Sequence, residues 1–365
     1  MTPQSDVSLA PLCTMGVGGA ARWFVDARTE SDVCSALAWA DQRGVPVYVL
    51  GGGSNVVIAD EGLAGLVLRV AVDGNDVVRV DETVECRVGS GEAWDAFVGS
   101  TVAANLAGVE CLSGIPGQVG GTPVQNVGAY GQDVSATIRR VRAIDRRTRR
   151  PVVFSNADCR FSYRQSRFKT DDANRYIVTR VDFGLGPDGS ATVTYADVVR
   201  FFEEANNASP TLADVRAAIL AIRRRKGMVI EAGNPANRSC GSFFVNPVVS
   251  RDACMHVRAV TGGDVPQYTV DDERVKIPAA WLIERAGFPR GTTRGVVGIS
   301  PFQAQAIVNH GGARAADVVA LALDVKRAVL KAFGISLVPE PVFLGFVTSV
   351  AVSSLLEGVH VNASD

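Results

Sequence analysis

Apolar residues recur along this chain in two different periods, and each period predicts a different element. Residues 31–43 place Val33, Ala36, Leu37 and Ala40 on one face at helical spacing and stop at Gly44, which predicts a helix. Residues 45–50 form an apolar run that predicts a buried strand entering Gly51-Gly52-Gly53-Ser54-Asn55; residues 22–25, 56–59 and 66–70 read as further strands. A helix over 92–105 carries Trp94, Phe97, Val98, Thr101 and Val102, and strand signals return at 141–144, 152–154 and 176–183. Thr211 opens another helix, with Asp214 three residues on as a capping-box partner, a stripe of Leu212, Val215, Ile219 and Ile222, and an end at Gly227. The loop 231–237 reads as a domain boundary. Helices near 278–286 and 315–333 follow, then a closing strand at 335–338 and an apolar tail over 343–356, which Gly345, Thr348 and Ser349 interrupt.

One long stretch fits neither period. Ser113-Gly114-Ile115-Pro116-Gly117-Gln118-Val119-Gly120-Gly121-Thr122-Pro123-Val124-Gln125-Asn126-Val127-Gly128-Ala129-Tyr130-Gly131 holds six glycines and two prolines with no charge. Glycine lets backbone amides approach a ligand and adopt positive φ without a Cβ clash. Ile115, Val119, Val124, Val127 and Tyr130 distinguish it from a disordered linker. A long ordered loop in a compact domain is usually functional, and this one reads as a wall of a cofactor pocket.

Composition narrows the class. A chain of 365 residues exceeds one comfortable core, so two or three domains are expected. With 47% hydrophobic and 21% charged residues it is an ordinary soluble globular chain. Its net charge of −1 supplies no basic field, which argues against nucleic acid or an anionic membrane as partner. Residues 1–7 lack the pattern of a secretory signal, and the apolar tail is too short to span a bilayer, so a cytoplasmic protein is expected. Seven cysteines, at 13, 34, 86, 111, 159, 240 and 254, include no C-x-x-C pair and suggest neither a disulfide framework nor zinc. The histidines at 256, 310 and 360 offer no metal pair.

Several short motifs could carry chemistry. Gly16-Val17-Gly18-Gly19-Ala20-Ala21 fits a dinucleotide fingerprint, but a strand-like run follows it where a helix is required, so a glycine turn into a first strand is the better reading. Gly51–Asn55, entered from an apolar strand, can form a nest of backbone N–H groups suited to a pyrophosphate. Two such glycine loops on a strand-rich domain favour a dinucleotide held by loops, with FAD the natural candidate. Arg139, Arg140 and Arg142 with Arg146, Arg147, Arg149 and Arg150 bracket a hairpin-like turn without interleaved aromatics, and read as solvated. Arg223-Arg224-Arg225-Lys226 ends a helix, where it serves the helix dipole or contacts a diphosphate. Arg164, in Phe161-Ser162-Tyr163-Arg164, has the fork to clamp a carboxylate. Ser242 stands between Gly241 and two aromatics, outside any serine-hydrolase elbow, yet such a hydroxyl can deliver a proton to a carbanion. Glu340 is fixed between Pro339 and Pro341. Read singly, each of these residues reads as structural.

Their order and spacing together are specific. From about residue 14 to residue 345 the chain resembles the UDP-N-acetylenolpyruvoylglucosamine reductases, the MurB flavoenzymes of peptidoglycan precursor synthesis. The carriers are Gly51–Asn55, Ile115-Pro116-Gly117 through Gly131, Tyr163-Arg164, Gly241-Ser242-Phe243-Phe244 and Pro339-Glu340. Residues 161–169 and 193–197 look like the type I branch of that family.

The resemblance implies an α+β protein. Two α+β subdomains would hold non-covalent FAD in the fold of the vanillyl-alcohol oxidase (PCMH) type, and a smaller α+β domain would cover the substrate. The expected boundaries are 1–75 completed by 335–365, then 76–227, then 228–334. NADPH would reduce the flavin, and the enolpyruvyl UDP-sugar would accept hydride from flavin N5 at C3 and a proton at C2. By the same resemblance Ser242 donates that proton, while Arg164 and Glu340 steady the substrate carboxylate and its enol form. FAD contacts are expected from Gly51, Gly52, Gly53, Ser54, Asn55, Ile115, Pro116, Gly117, Gly120, Gly121, Thr122, Asn126, Gly128, Ala129 and Tyr130. Substrate contacts are expected from Tyr163, Tyr195, Lys226, Asn246 and Gln303, in a monomer. The sequence departs from the branch at Val342, where an arginine is common, and at Ser300, near which a histidine is common.

Overall fold

A computed structural model describes residues 2–80, 83–231 and 237–357. The first lobe is a four-stranded sheet in the order Gln4–Ser8, Ala20–Ala27, Leu63–Val70, Val47–Leu50, antiparallel at the first pair and parallel at the other two. Alternation sorts its side chains into two layers. Val25, Ala27, Leu66, Leu68 and Val70 face the helix Glu30–Arg43, while Phe24, Leu50, Leu63 and Val67 pack with Leu9, Cys13 and Ile58 on the other face. That helix starts on a reciprocal Thr29–Asp32 capping box and stops at Gly44 in the left-handed conformation, as its sequence predicts.

The second lobe is an antiparallel sheet ordered Pro151–Ser155, Ile138–Asp145, Tyr176–Pro187, Thr83–Gly89, Asn75–Val80, with Leu106–Ala107 pairing at the end of Tyr176–Pro187. The helix Trp94–Ala103 covers it, seating Trp94, Phe97 and Phe183 as a buried aromatic cluster. A smaller core joins the helices Ala196–Glu204 and Leu212–Arg225 through Val198, Phe202, Val215 and Ile219. The arginine-rich hairpin lies where it was expected, yet it is tied down. Arg142 grips Glu30 of the first lobe at 2.6 and 2.8 Å, and Arg140 pairs with Glu85 and Asp182.

The third region carries two three-stranded antiparallel sheets, Val248–Ser250/Arg274–Lys276/Tyr268–Thr269 and Thr293–Arg294/Val297–Ile299/Ile307–Asn309, around the helix Ala315–Phe333. Its core takes in Met15, Val17 and Val57 from the N-terminal part of the chain. Asp60 accepts hydrogen bonds from Ala315 N at 2.7 Å and Ala316 N at 3.1 Å, so the first lobe caps the long helix of the third.

Two expectations need correction or completion. The closing strand is Val342–Leu344, parallel to Val56–Ile58, and residues 335–338 join no ladder. Pro339 and Pro341 lack the N–H groups that a ladder uses, and only a single bridge, Phe244 with Pro339, forms there. The strands Gln4–Ser8, Asn75–Val80 and Thr83–Gly89 went unpredicted. Asn75–Val80 is an edge strand with exposed Val77 and Val78, so its pattern carries no buried face to read. Most of the 231–237 boundary loop, and His360, lie outside the described residues.

Candidate active site

The two glycine loops meet. Residues 51–55 leave Val47–Leu50 and turn against 116–118. Gly53 has φ +64°, and a Cβ there would strike the Leu12 carbonyl. A Cβ on Gly52 would fall 2.8 Å from Gly117 Cα, and one on Gly117, at φ +116°, 2.7 Å from Ser54 Oγ. Only glycine permits so close an approach. Ser54 Oγ donates to Pro116 O at 3.2 Å, Thr14 N to Gly53 O at 3.0 Å, and Asn55 Nδ2 to Gln125 Oε1 at 2.8 Å. Among the described residues none of the N–H groups of Gly51 to Asn55 finds an acceptor, so the turn presents consecutive donors to a ligand.

The second loop is braced from behind. Gly117 O accepts from Trp94 N at 3.0 Å and Gly120 N donates to Ser90 O at 2.9 Å. Thr122 Oγ1 donates to Val119 O at 2.8 Å. Gly120 and Thr122 therefore shape the wall with their polar groups already engaged. Among the described residues Gln118 Oε1 and Ser90 Oγ, buried on the same wall, find no partner. A glycine cradle, a run of free N–H groups and orphaned polar atoms beside it suit a large, multiply hydrogen-bonded group such as FAD.

Beyond Asn126 the loop leads to a knot of side chains. Asn126, Tyr130 and Arg164 all hold positive φ, at +48°, +50° and +57°, a conformation that costs non-glycine residues energy and is kept where the surroundings enforce it. The enforcement is visible. Asn126 Nδ2 donates to Ser162 O at 3.0 Å, and Ser162 and Gln165 exchange two backbone bonds of 3.1 Å around Arg164. Arg164 Nη2 donates to Gly128 O at 2.7 Å and its Nε lies 3.7 Å from Glu340 Oε1. Glu340, its side chain 13% exposed, donates its N–H to Phe243 O at 2.9 Å. That bond and the Phe244–Pro339 bridge bring the segment that follows Ser242 against Glu340, although the two are far apart in sequence. Lys169, not singled out from the sequence, donates to Arg164 O at 3.3 Å. Burial raises the Glu340 carboxyl above its ordinary value against the pull of Arg164 and Lys169, and burial lowers the Lys169 ammonium.

Tyr130 and Tyr195 pack edge to face at 5.4 Å, and Lys226 Nζ lies 5.5 Å from the Tyr130 ring while donating to Asp197 at 2.7 Å. Burial works to lower the Lys226 ammonium, but the Asp197 carboxylate together with Tyr130 and Tyr195 outweighs it and raises it. Gly227 packs on Phe302, which brings the turn bearing Gln303 towards Lys226. The residue that reaches Asn246, however, is Gln305. Its Nε2 bonds Phe244 O and lies 3.3 Å from Asn246 Oδ1, which also accepts from Ala279 N at 2.9 Å. Burial raises the Tyr163 hydroxyl above its ordinary value, and Asn246 close by works the other way. Gln305 alternates with buried Ala304 and Ala306, and that apolar run hid it in the sequence.

A cradle of this kind, with charged side chains from three segments beside it, defines an FAD-dependent enzyme of two cofactor lobes and an added domain. Residues 21–149 match the FAD-binding domain family, and residues 234–344 match the UDP-N-acetylenolpyruvoylglucosamine reductase C-terminal domain. UDP-N-acetylenolpyruvoylglucosamine reductase of Thermobifida fusca is 47% identical over 348 residues, covering 93% of this chain and 97% of its own; that of Streptomyces avermitilis is 44% identical, covering 93% and 94%. The crystal structure of UDP-N-acetylenolpyruvylglucosamine reductase from Thermus caldophilus matches over 94% of this chain and 99% of its own, with TM-score 0.63 and 25% identity. The chain belongs to the UDP-N-acetylenolpyruvoylglucosamine reductase family. Its fold is the α+β FAD-binding architecture with a third domain that the sequence implied. Among the described residues no helix is long and apolar enough to cross a membrane.

Proposed function

We propose that this chain is an FAD-dependent oxidoreductase that reduces the enolpyruvyl group of UDP-N-acetylglucosamine enolpyruvate to UDP-N-acetylmuramate in peptidoglycan precursor synthesis, with NADPH as co-substrate. The observation that carries the reading is the convergence of Arg164, Glu340 and the Ser242 segment beside the glycine cradle.

Gly51 to Asn55, residues 115–117 and 120–122, Asn126 and residues 128–130 hold the cofactor in this reading, with the free N–H groups of Gly51 to Asn55 turned to its diphosphate. The cofactor held there would supply hydride chemistry at C3 of the vinyl group, with NADPH as the source of its reducing equivalents. Arg164 holds the substrate carboxylate, where negative charge grows as C3 is reduced, and its fork is already oriented by Gly128 O. Glu340, raised by burial, can keep a proton at its carboxyl and hydrogen-bond the enol form of that carboxylate. Ser242 Oγ delivers the proton to C2. Tyr163, Asn246, Tyr195, Lys226 and Gln303 bind the nucleotide. Residues 1–75 with 335–365 and residues 76–227 form the cofactor lobes and 228–334 the substrate domain, in a cytoplasmic monomer.

Anaerobic titration tests this directly. Added NADPH should bleach the flavin spectrum, and the enolpyruvyl nucleotide should restore it. Bleaching that only oxygen reverses would make the protein an oxidase.

A further inference from the structure

Lys276 ends the central strand of the sheet Val248–Ser250/Arg274–Lys276/Tyr268–Thr269, where Val275 points into the core and its neighbours do not. Its side chain does not run out into solvent. Nζ lies 4.7 Å from the centroid of the Tyr163 ring and 5.7 Å from that of Tyr268. Tyr163 precedes Arg164, whose guanidinium carbon is 5.4 Å from the same ring. Two cations from different domains thus share one tyrosine.

Among the described residues no carboxylate pairs with Lys276. The other lysines of the site are engaged: Lys226 with Asp197 and Lys169 with the Arg164 carbonyl. Burial and the nearby Arg164 charge both lower the Lys276 ammonium from its ordinary value. A half-buried cation beside a second cation, satisfied only by ring faces, costs free energy that a bound anion would recover. Alternation along a short strand hid it, since Arg274 and Lys276 flanking Val275 read as ordinary surface positions.

We propose that Lys276 is a substrate-binding residue whose ammonium contacts an anionic oxygen of the enolpyruvyl nucleotide, closing the site from the third domain opposite Arg164. The inference rests on the function proposed above and adds to it. Two oxygens of the substrate have the right chemistry, the carboxylate and the diphosphate.

The test compares wild type with K276Q and K276R, each isolated with its flavin and checked for equal flavin content. Wild-type protein that fails to oxidise NADPH with the enolpyruvyl nucleotide would sink the function itself. Given that activity, K276Q should raise KM for the nucleotide about ten- to hundredfold, the loss expected for a charge-assisted contact, with a smaller change in kcat. K276R should recover most of it. Inhibition by UDP-N-acetylglucosamine, which keeps the diphosphate and lacks the carboxylate, separates the two sources. A parallel loss of inhibition places Lys276 on the diphosphate, and unchanged inhibition places it on the carboxylate. A K276Q enzyme with wild-type KM, or a KM defect that K276R does not relieve, would overturn the assignment.

Discussion

The cofactor cradle and the knot around Glu340 are built by opposite means. The cradle is backbone: Gly52, Gly53 and Gly117 approach so closely that side chains are excluded, and free N–H groups provide its polarity. The knot is side chain: Arg164, Lys169, Lys276 and Glu340 are brought together by a hydrogen bond to Gly128 O, a bond to the Arg164 carbonyl, an ion pair and a cation–π contact with Tyr163. A backbone site tolerates no added atoms, whereas a side-chain site tolerates changes of shape and fails on changes of charge or proton. Mutations should therefore abolish cofactor binding in one region and separate catalysis from cofactor binding in the other.

Gly53→Ala should give the largest effect. The new methyl would meet the Leu12 backbone, which no rotamer change relieves, at a φ that favours glycine. The expected result is protein without flavin absorbance or without soluble expression; a yellow, fully loaded G53A protein would break the account of the cradle. Ser242→Ala should leave the flavin bound and still reduced by NADPH. Reoxidation by the enolpyruvyl nucleotide should slow by about a hundredfold or more, the usual scale for loss of a proton donor. Equal slowing of both half-reactions, followed by stopped flow, would remove Ser242 from that role.

Glu340→Gln sharpens the contrast through pH. The carboxyl is raised in the folded protein by burial, so its contribution favours folding most at pH below the ordinary carboxylate range and is lost as pH rises through the raised value. Glutamine removes that dependence. The variant should retain FAD, resist thermal unfolding at neutral pH at least as well as wild type, and turn over about a hundredfold more slowly or worse. Thermal unfolding followed across pH checks the sign: an E340Q protein that destabilises with rising pH as wild type does would rule out Glu340 as the titrating group.

The same division decides what could be read from the sequence. The cradle was legible because its residues are contiguous and their composition has no other use; Gly51–Asn55 and 113–131 announce themselves. The helices Glu30–Arg43 and Leu212–Arg225 were legible through stripe and capping box. Arg164, Ser242 and Glu340 were visible only as a set resembling a known family, since nothing local says that Phe243 O would meet Glu340 N. Lys169, Lys276 and Gln305 stayed hidden because their short-range patterns are those of ordinary loop, strand and core positions. The strand expected at 335–338 failed because apolar content does not reveal that Pro339 and Pro341 remove the ladder donors.

The smallest effect lies where the two regions depend on one another. Asp60 follows the strand Val56–Ile58, which pairs with Val342–Leu344 just beyond Glu340, and its two oxygens accept the first N–H groups of the helix Ala315–Phe333. Asp60→Ala removes both acceptors and leaves the helix start to water. A lost cap costs about 1 kcal/mol, which should appear as a small fall in denaturation midpoint with flavin content intact. Because the cap is one of the first lobe's holds on the third domain, the same change should raise KM for the nucleotide modestly while leaving flavin reduction by NADPH close to wild type. Asp60→Asn keeps one acceptor and should fall between the two. An Asp60→Ala protein that loses its flavin would show instead that the cradle itself leans on the third domain, and that the two ways of building a site are not separable here.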